Sequence, residues 1–274
     1  MEASGEVYKA NNEHFVLVHG AGHGGWCWFK LACLLRGSSH RVSCIDLTGA
    51  AGSLVDPDDV RSFDATRRSP TSWPPCRTAT SVTVACQVIL VGHSAGGLSV
   101  THAMHLFRDK IKQAIFIAAT MLPFGYQTEQ DIKDVIHHFP YAYCFVQLLF
   151  ISGNRNLGDG RPPTSVALRE EHQRTILYHQ CSHEDSTLAS IRLRPWPAAL
   201  STARFGHVDD GAKSSVDAVR RVYIKTTNDH MVKPEQQEAM IRRWLLSEVA
   251  AMDTDHSPFF SEPERLFELI LKSL

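Results

Sequence analysis

The sequence lacks the features that would assign it to several large classes of protein. It has no run of 18 apolar residues, so no membrane-spanning helix is predicted; the apolar stretch 145–151 is the nearest approach and is too short. It has no excess charge of one sign, because 28 Lys and Arg stand against 29 Asp and Glu, a net charge of −1. That balance gives no electrostatic reason to bind nucleic acid or an anionic membrane. The composition therefore excludes both as predicted partners.

The sequence also lacks paired cysteines and clustered metal ligands. Its seven cysteines are odd in number and contain no Cys-x-x-Cys pair, which favours free thiols in a reducing compartment. Among the 15 histidines, neither His102 with His105 nor His137 with His138 is accompanied by a third ligand. We therefore predict no metal and no cofactor. Residues 1–13 lack the layout of a secretory signal or transit peptide, which predicts a cytoplasmic chain; a longer amino-terminal form would make the chloroplast the alternative.

What the sequence does contain is a serine at a sharp turn, with a glycine two residues before it and another two residues after it. The pentapeptide Gly92-His93-Ser94-Ala95-Gly96 follows the apolar run 87–91 and precedes a helix-like stretch at 97–107. Strand, turn and helix with a Gly-x-Ser-x-Gly core are the context of a nucleophile elbow, in which the serine adopts a strained backbone conformation. Ser94 is thus the candidate nucleophile; an ordinary helix N-cap is the alternative.

An acid and a histidine follow two later predicted strands. Asp229 comes just after a strand predicted at 221–226, and His256 comes just after one at 249–254. In a parallel α/β sheet, the carboxyl ends of the strands meet at the edge where sites are built, and Ser94 is expected at that edge too. The order serine, acid, histidine is that of this architecture.

The chemistry assigns a role to each of these side chains. His256 can take the proton of Ser94 during attack and return it to the leaving group, and Asp229 can orient and stabilise the imidazole. Asp253 and Asp255 compete with Asp229 for the role of the acid. Asp255 is disfavoured because a sequence neighbour rarely has the geometry to accept from the ring nitrogen of that histidine.

A glycine-rich loop supplies the candidate oxyanion hole. The apolar strand 15–18 runs into the loop 19–28, whose glycines let the backbone approach a ligand and point its N–H groups inward. An oxyanion hole takes one N–H from the residue after the nucleophile and one from such a loop, which points to Ala95 and Ala21. A phosphate-binding loop is the alternative, but no Lys-Ser/Thr follows and the glycine spacing is not Gly-x-Gly-x-x-Gly.

The alternation of predicted strands and helices defines the fold class. It indicates an α/β fold with a mostly parallel central sheet flanked by helices, in a single domain spanning 1–274 with an inserted lid at 122–200. Strands are predicted near 15–19, 41–46, 87–92, 114–119, 221–226 and 249–254, and helices near 27–37, 95–107, 234–244 and 263–273. The lid would supply an apolar acyl pocket.

Four motifs resemble those of the plant methylesterase and hydroxynitrile lyase family of α/β-hydrolases. They are His19-Gly20-Ala21-Gly22-His23-Gly24-Gly25-Trp26-Cys27-Trp28, Asp46-Leu47-Thr48-Gly49, Gly92-His93-Ser94-Ala95-Gly96-Gly97 and Asp255-His256-Ser257-Pro258. The resemblance is greatest to the methylesterase branch, in particular to methylesterases that often carry a plastid-targeted extension. It implies a serine carboxylesterase for methyl esters of small hormones of the indole-acetate, jasmonate or salicylate type. It also implies Ser94, Asp229 and His256 as the triad, with Ala21 and Ala95 as oxyanion donors.

The same resemblance leaves other functions open. The lyases carry a threonine after the first motif histidine and a lysine after the catalytic one, where this chain has Gly20 and Ser257, so hydrolysis is the better prediction. A hydroxynitrile lyase and a ligand-binding relative remain the alternatives. The partner is expected to be a small-molecule ester, and a homodimer is left open.

Two stretches depart from the expected pattern. A helix is expected before the strand at 87–92, but 65–86 holds three prolines and many Ser and Thr, which cannot sustain one. Reading 65–80 in another frame with GC-rich codons yields an amphipathic helix, which suggests alternative splicing or a frameshifted gene model. The segment 135–156 also departs from the family. An inactive or unstable splice form is therefore a further alternative.

Overall fold

A parallel β-sheet is the scaffold of the molecule. The computed structural model describes residues 12–63, 87–125, 150–153, 163–205, 215–244 and 248–274. The strands in these ranges are β1 (His14–Val18), β2 (Arg41–Ile45), β3 (Val88–His93), β4 (Ile111–Ile117), β5 (Phe150–Gly153), β6 (Ser165–Leu168), β7 (Trp196–Pro197), β8 (Arg220–Thr226) and β9 (Glu248–Met252). Six of them form one sheet in the order β2-β1-β3-β4-β8-β9, with every pairing parallel.

Helices cover both faces of this sheet. The described α-helices are α1 (Phe29–Gly37), α2 (Gly96–Phe107), α3 (Glu170–Leu177), α4 (His183–Arg192), α5 (Pro234–Arg243), α6 (Pro258–Ser261) and α7 (Pro263–Lys272). Short 3-10 helices occur at Gly25–Trp28, Pro57–Asp59, Arg108–Lys110, Ala198–Thr202 and Ser215–Ala218. Successive strand residues point to opposite faces. Accordingly, Phe15 packs with Leu31 of α1 in one buried cluster and Val16 packs with Val100 of α2 in another.

The described residues between β4 and β8 include a second, smaller sheet. Its strands β5, β6 and β7 make an antiparallel sheet, in which Phe150 pairs with Leu168 and Ser165 pairs with Pro197. Helices α3 and α4 connect β6 to β7. Tyr178, which follows α3, belongs to the same buried cluster as the α1 face of the main sheet. The inserted segment is therefore packed against the main domain by apolar side chains.

The predicted α/β-hydrolase fold is confirmed, with shifted element boundaries. Strand β4 begins at Ile111, three residues before the predicted start, because its polar residues find partners only in the folded chain. Lys112 is ion-paired with Glu13, and the buried Gln113 amide donates to Ser273 Oγ at 2.9 Å. The predicted helix at 27–37 is a 3-10 turn followed by α1, and the strand predicted at 249–254 is β9, which ends at residue 252.

The two unusual stretches lie largely outside the described residues. The whole of 65–86 does, as do the parts of 135–156 that precede and follow β5. The frameshift hypothesis and the splice-form alternative therefore stay predictions.

Candidate active site

Ser94 stands in a left-handed backbone conformation between β3 and α2. Its φ of 51° is unusual for a residue with a side chain and matches the strained turn predicted from the sequence. The flanking glycines have no room for a Cβ, which would lie 2.4 Å from the His19 carbonyl oxygen at Gly96 and 2.7 Å from Val100 Cγ2 at Gly92. The N-cap residue of α2 is Ala95, so Ser94 is not the ordinary N-cap of the alternative interpretation.

The loops after β8 and β9 bring a histidine and a carboxylate together. His256 Nδ1 lies 2.8 Å from Asp229 Oδ2, and both side chains are buried. The other carboxylate oxygen accepts from the backbone N–H groups of Met231 at 2.7 Å and Val232 at 2.9 Å, while Thr226 Oγ1 donates to Oδ2 at 2.9 Å. These donors hold the carboxylate in one orientation. Nδ1–H donating to the carboxylate leaves the imidazole Nε2 lone pair available as a base.

The two competing carboxylates are engaged elsewhere. Asp255 is buried and accepts from the backbone N–H groups of Gln180 at 2.9 Å and Ser257 at 3.1 Å. Asp253 is exposed, and its Oδ1 accepts from Asn228 Nδ2 at 2.8 Å. Each therefore has a local structural role.

The elbow is joined directly to the loop of the histidine. His93, the residue before Ser94, lies in a ring contact with His256 at a centroid distance of 4.6 Å, and its Nε2–H donates to the His256 carbonyl oxygen at 2.7 Å. Burial, and secondarily the nearby His256, holds the pKa of His93 well below its usual value. A neutral His93 thus bonds the backbone of His256 to the residue before Ser94.

The glycine-rich loop begins with a tight turn, and the ring of His19 is hydrogen-bonded to it. The His23 N–H donates to the Gly20 carbonyl at 3.3 Å, and Gly22 has a φ of +74°, which glycine adopts without strain. The ring of His19 donates through Nδ1–H to the same carbonyl at 2.8 Å, while its Nε2 accepts from the Leu47 N–H at 3.1 Å. Burial lowers the pKa of His19, so the ring is neutral and this pattern is fixed.

Ala21 and Ala95 border one small pocket. Both are half-buried, and within the described ranges neither backbone N–H donates to a protein acceptor. The other side of the pocket comes from the inserted segment, through Trp196, Pro197 and Leu200. Free N–H groups at the border of a mainly apolar pocket are what an oxyanion hole requires.

Several residues of this arrangement were not identified from the sequence. Thr226 contacts Asp229 from only three residues away, whereas His93 and Tyr178 contact His256 and the glycine-rich loop across 163 and 155 residues, separations that no local spacing encodes. A signal existed only for His93, which lies inside the Gly-x-Ser-x-Gly pentapeptide.

The described residues hold neither a cluster of metal ligands nor a membrane-spanning helix. Nowhere in them do three or more His, Cys, Asp or Glu side chains gather as metal ligands would. No helix in these ranges has the length and apolar character needed to cross a membrane. Four of the seven cysteines fall in the described ranges, and Cys27, Cys33, Cys44 and Cys181 are all free thiols.

Comparison with known proteins identifies relatives of this chain. A model of the alpha/beta hydrolase family matches residues 15–269. Methylesterase 17 of Arabidopsis thaliana is 42% identical over 95% of this chain and 91% of its own length, and pheophorbidase of Raphanus sativus is 36% identical over 95% and 94%. The crystal structure of the Arabidopsis methylesterase MES16 superposes with a TM-score of 0.77 at 34% identity, covering 95% of this chain and 98% of that one.

The chain therefore belongs to the alpha/beta hydrolase family. Its similarity over nearly its whole length to proteins named methylesterase places it in the plant methylesterase group, and its enzyme class is carboxylic ester hydrolase. The resemblance read from the four sequence motifs is thereby confirmed.

Proposed function

We propose that the protein hydrolyses methyl esters of small plant hormones, of the indole-acetate, jasmonate or salicylate type, through an acyl-enzyme formed on Ser94. The observation that carries this proposal is the 2.8 Å hydrogen bond between Asp229 and His256, whose backbone is bonded to His93, the residue before a serine with a φ of 51°. Similarity to methylesterases supports the esterase reaction, and the serine mechanism is the one that this arrangement suits.

The first half of the reaction forms the acyl-enzyme. His256 Nε2 takes the proton of Ser94 as its oxygen attacks the ester carbonyl carbon, and Asp229 stabilises the resulting imidazolium. The N–H groups of Ala21 and Ala95 receive the negative charge that develops on the carbonyl oxygen. The tetrahedral intermediate then collapses, His256 returns the proton to the leaving oxygen, and methanol departs.

The second half repeats these roles with water. His256 accepts a proton from a water molecule that attacks the acyl carbon, and the same two N–H groups stabilise the second oxyanion. Collapse breaks the bond to Ser94, which recovers its proton from His256, and the free carboxylic acid leaves and gives its proton to the solvent. No group beyond these residues is needed to balance the reaction.

The pocket supports a small, neutral and largely apolar acyl group. Its described lining includes Leu47, Ala50, Trp196, Pro197 and Leu200, and none of its described residues carries a carboxylate or an ammonium group. Burial of a ring or an alkyl chain against such a lining is favourable by roughly 25 cal/mol per Å² of apolar surface. The apolar character of this lining suits a planar aromatic or a cyclopentane-type acyl group.

The inserted segment 122–200 is proposed as the lid of this single-domain protein. Trp196 and Pro197 line the pocket, and the backbone N–H of Arg194 donates to the Gly22 carbonyl at 3.0 Å. The end of the segment therefore contacts the glycine-rich loop directly. A segment in this position can shape the acyl pocket and exclude water.

The decisive experiment measures release of acid from the methyl esters of indole-acetate, jasmonate and salicylate by purified protein. Ser94→Ala and Asp229→Asn are compared with Asp253→Asn, which changes an exposed carboxylate one loop away. We expect no measurable turnover for Ser94→Ala, a loss of about 10⁴-fold for Asp229→Asn, and near-parental rates for Asp253→Asn.

Three outcomes would contradict the proposal. Turnover by Ser94→Ala would contradict the serine mechanism. Equal losses of turnover in Asp229→Asn and Asp253→Asn would contradict the assignment of Asp229. Saturable binding of the methyl esters without turnover by the folded parent protein would favour the ligand-binding alternative.

A further inference from the structure

A buried tyrosine of the inserted segment is hydrogen-bonded to the glycine-rich loop. The hydroxyl of Tyr178, which directly follows α3, lies 2.7 Å from Nε2 of His23, 155 residues away along the chain. Both side chains are almost completely buried. The rings also meet edge to face, with centroids 6.0 Å apart. The contact is therefore a fixed part of the folded protein.

The positions of the protons in this contact follow from its neighbours. His23 Nδ1 lies 3.0 Å from the Ala21 carbonyl oxygen, which can only accept, so Nδ1 carries the proton. Nε2 is then a lone pair, and the Tyr178 hydroxyl donates to it. Burial lowers the pKa of His23 to about 3, and burial raises the pKa of Tyr178 well above its usual value. Both groups are neutral near pH 7, and only one proton arrangement satisfies them.

The ring of His23 acts on the peptide between Ala21 and Gly22. With the N–H of His23 bonded to Gly20 and Gly22 at a φ of +74°, residues 20–23 form a turn of type II, whose central peptide can flip. The two groups of a peptide point in opposite directions, so a flip would move the Ala21 carbonyl oxygen to the side now occupied by the Gly22 N–H. Gly22 lines the pocket, and a carbonyl dipole there would oppose a developing oxyanion.

We propose that Tyr178 and His23 are positioning residues, which hold the Ala21 carbonyl against the ring of His23 and thereby keep the backbone of Ala21, whose N–H is the assigned oxyanion donor, in one conformation. The inference rests on the proposed function, because it assigns Ala21 as an oxyanion donor. Tyr178 fixes the tautomer of His23, and that tautomer holds the Ala21 carbonyl. The inserted segment thus contributes to the oxyanion hole as well as to the pocket wall.

The test compares a variant that lacks the Tyr178 hydroxyl with a control variant that lacks another buried tyrosine hydroxyl. Tyr178→Phe deletes the donor to His23, whereas Tyr223→Phe deletes an equally buried hydroxyl that donates to the Ala119 carbonyl at 2.9 Å. We expect Tyr178→Phe to lower kcat about tenfold, with KM changed less than about twofold, as for loss of one buried hydrogen bond. A trifluoromethyl ketone, which forms a tetrahedral adduct with the serine, should lose affinity by the same factor.

Two results of these assays would overturn the proposal. One is a rise in KM with kcat unchanged, which would mean that Tyr178 serves ligand binding only. The other is an equal fall in kcat for Tyr178→Phe and Tyr223→Phe, which would mean a general loss of packing.

A second measurement does not depend on turnover. In protein labelled with ¹⁵N, we expect His23 to be a neutral Nδ1–H tautomer, and the Ala21 amide resonance to shift in Tyr178→Phe but not in Tyr223→Phe. An Nε2–H tautomer of His23 in the parent protein, or an Ala21 amide resonance that does not shift in Tyr178→Phe, would refute the proposal that Tyr178 and His23 position Ala21. A parent protein inert towards methyl esters would count against the proposed function alone, because this measurement would still decide the positioning of Ala21.

Discussion

His93 Nε2 lies 2.7 Å from the backbone carbonyl oxygen of His256, a residue 163 positions further along the chain. This hydrogen bond joins the end of β3, which carries Ser94, to the loop after β9. Two loops that come from separate strands are thereby held in a fixed relation at the edge of the sheet.

Loss of this bond is expected to loosen the proposed general base. His93→Leu removes the donor and should lower kcat about tenfold, because misplacement of a reacting group by a fraction of an ångström is costly. His93→Gln places an N–H near the position of Nε2 and should retain most of the activity. Steady-state kinetics on the two variants, with thermal melts to confirm folding, make the comparison. Equal activities in the two variants would show that the donor is irrelevant.

Gly20 is expected to tolerate no side chain. A Cβ there would lie 2.8 Å from Ser94 Cβ and 3.0 Å from His93 Nδ1, so Gly20→Ala must displace the serine or the turn. We expect kcat/KM to fall by about 10². Gly37→Ala is the matched control, since a Cβ at that position of α1 meets nothing within 4 Å and should leave the kinetics unchanged. An active Gly20→Ala enzyme would mean that the elbow and the loop adjust freely.

The backbone conformation of Ser94 should cost stability. At a φ of 51°, glycine is less strained than a residue with a Cβ, so Ser94→Gly should be more stable than Ser94→Ala by up to about 1 kcal/mol. Ser39, exposed and with a φ of 66°, offers a control outside the site: Ser39→Gly should stabilise the protein and keep its activity. Urea denaturation of the four proteins measures this. Greater stability of Ser94→Ala would contradict the strain.

Acidification should destabilise the protein through its buried neutral histidines. Burial lowers the pKa values of His19, His23 and His93 in the folded protein, that of His23 from 6.5 to about 3. Below about pH 6.5 the unfolded chain binds protons that the folded one does not. The free energy of unfolding therefore decreases as the pH is lowered, by about 1.4 kcal/mol per pH unit for each such histidine.

Urea denaturation at about pH 7, 6 and 5 checks this dependence, in a window above the titration of most carboxyl groups. His93→Gln should reduce the pH slope by the contribution of one proton, whatever its effect on stability at neutral pH. A free energy of unfolding that stays constant over this window would refute the neutral burial of these side chains.

Predictability from the sequence differed between parts of the molecule. The turn of Ser94, the glycine-rich loop and His256 could be identified from the sequence because each depends on local chemistry. The signals are glycines around a serine or after a strand, and an ionisable residue directly after an apolar strand. The start of β4 was missed because Lys112 and Gln113 look like loop residues until Glu13 and Ser273 come into contact with them. Tyr178 was missed because nothing around it in the sequence refers to His23.

The sequence by itself determined the fold class, the order of the candidate residues and the family, since apolar periodicity and short motifs are properties of contiguous residues. Tertiary structure decided which groups meet. It selected Asp229 as the partner of His256 Nδ1, because the loops after β8 and β9 converge while Asp253 turns to solvent and Asp255 turns to the inserted segment. It also decided the tautomers of the buried histidines, because a tautomer depends on which donor or acceptor packing brings to each ring nitrogen.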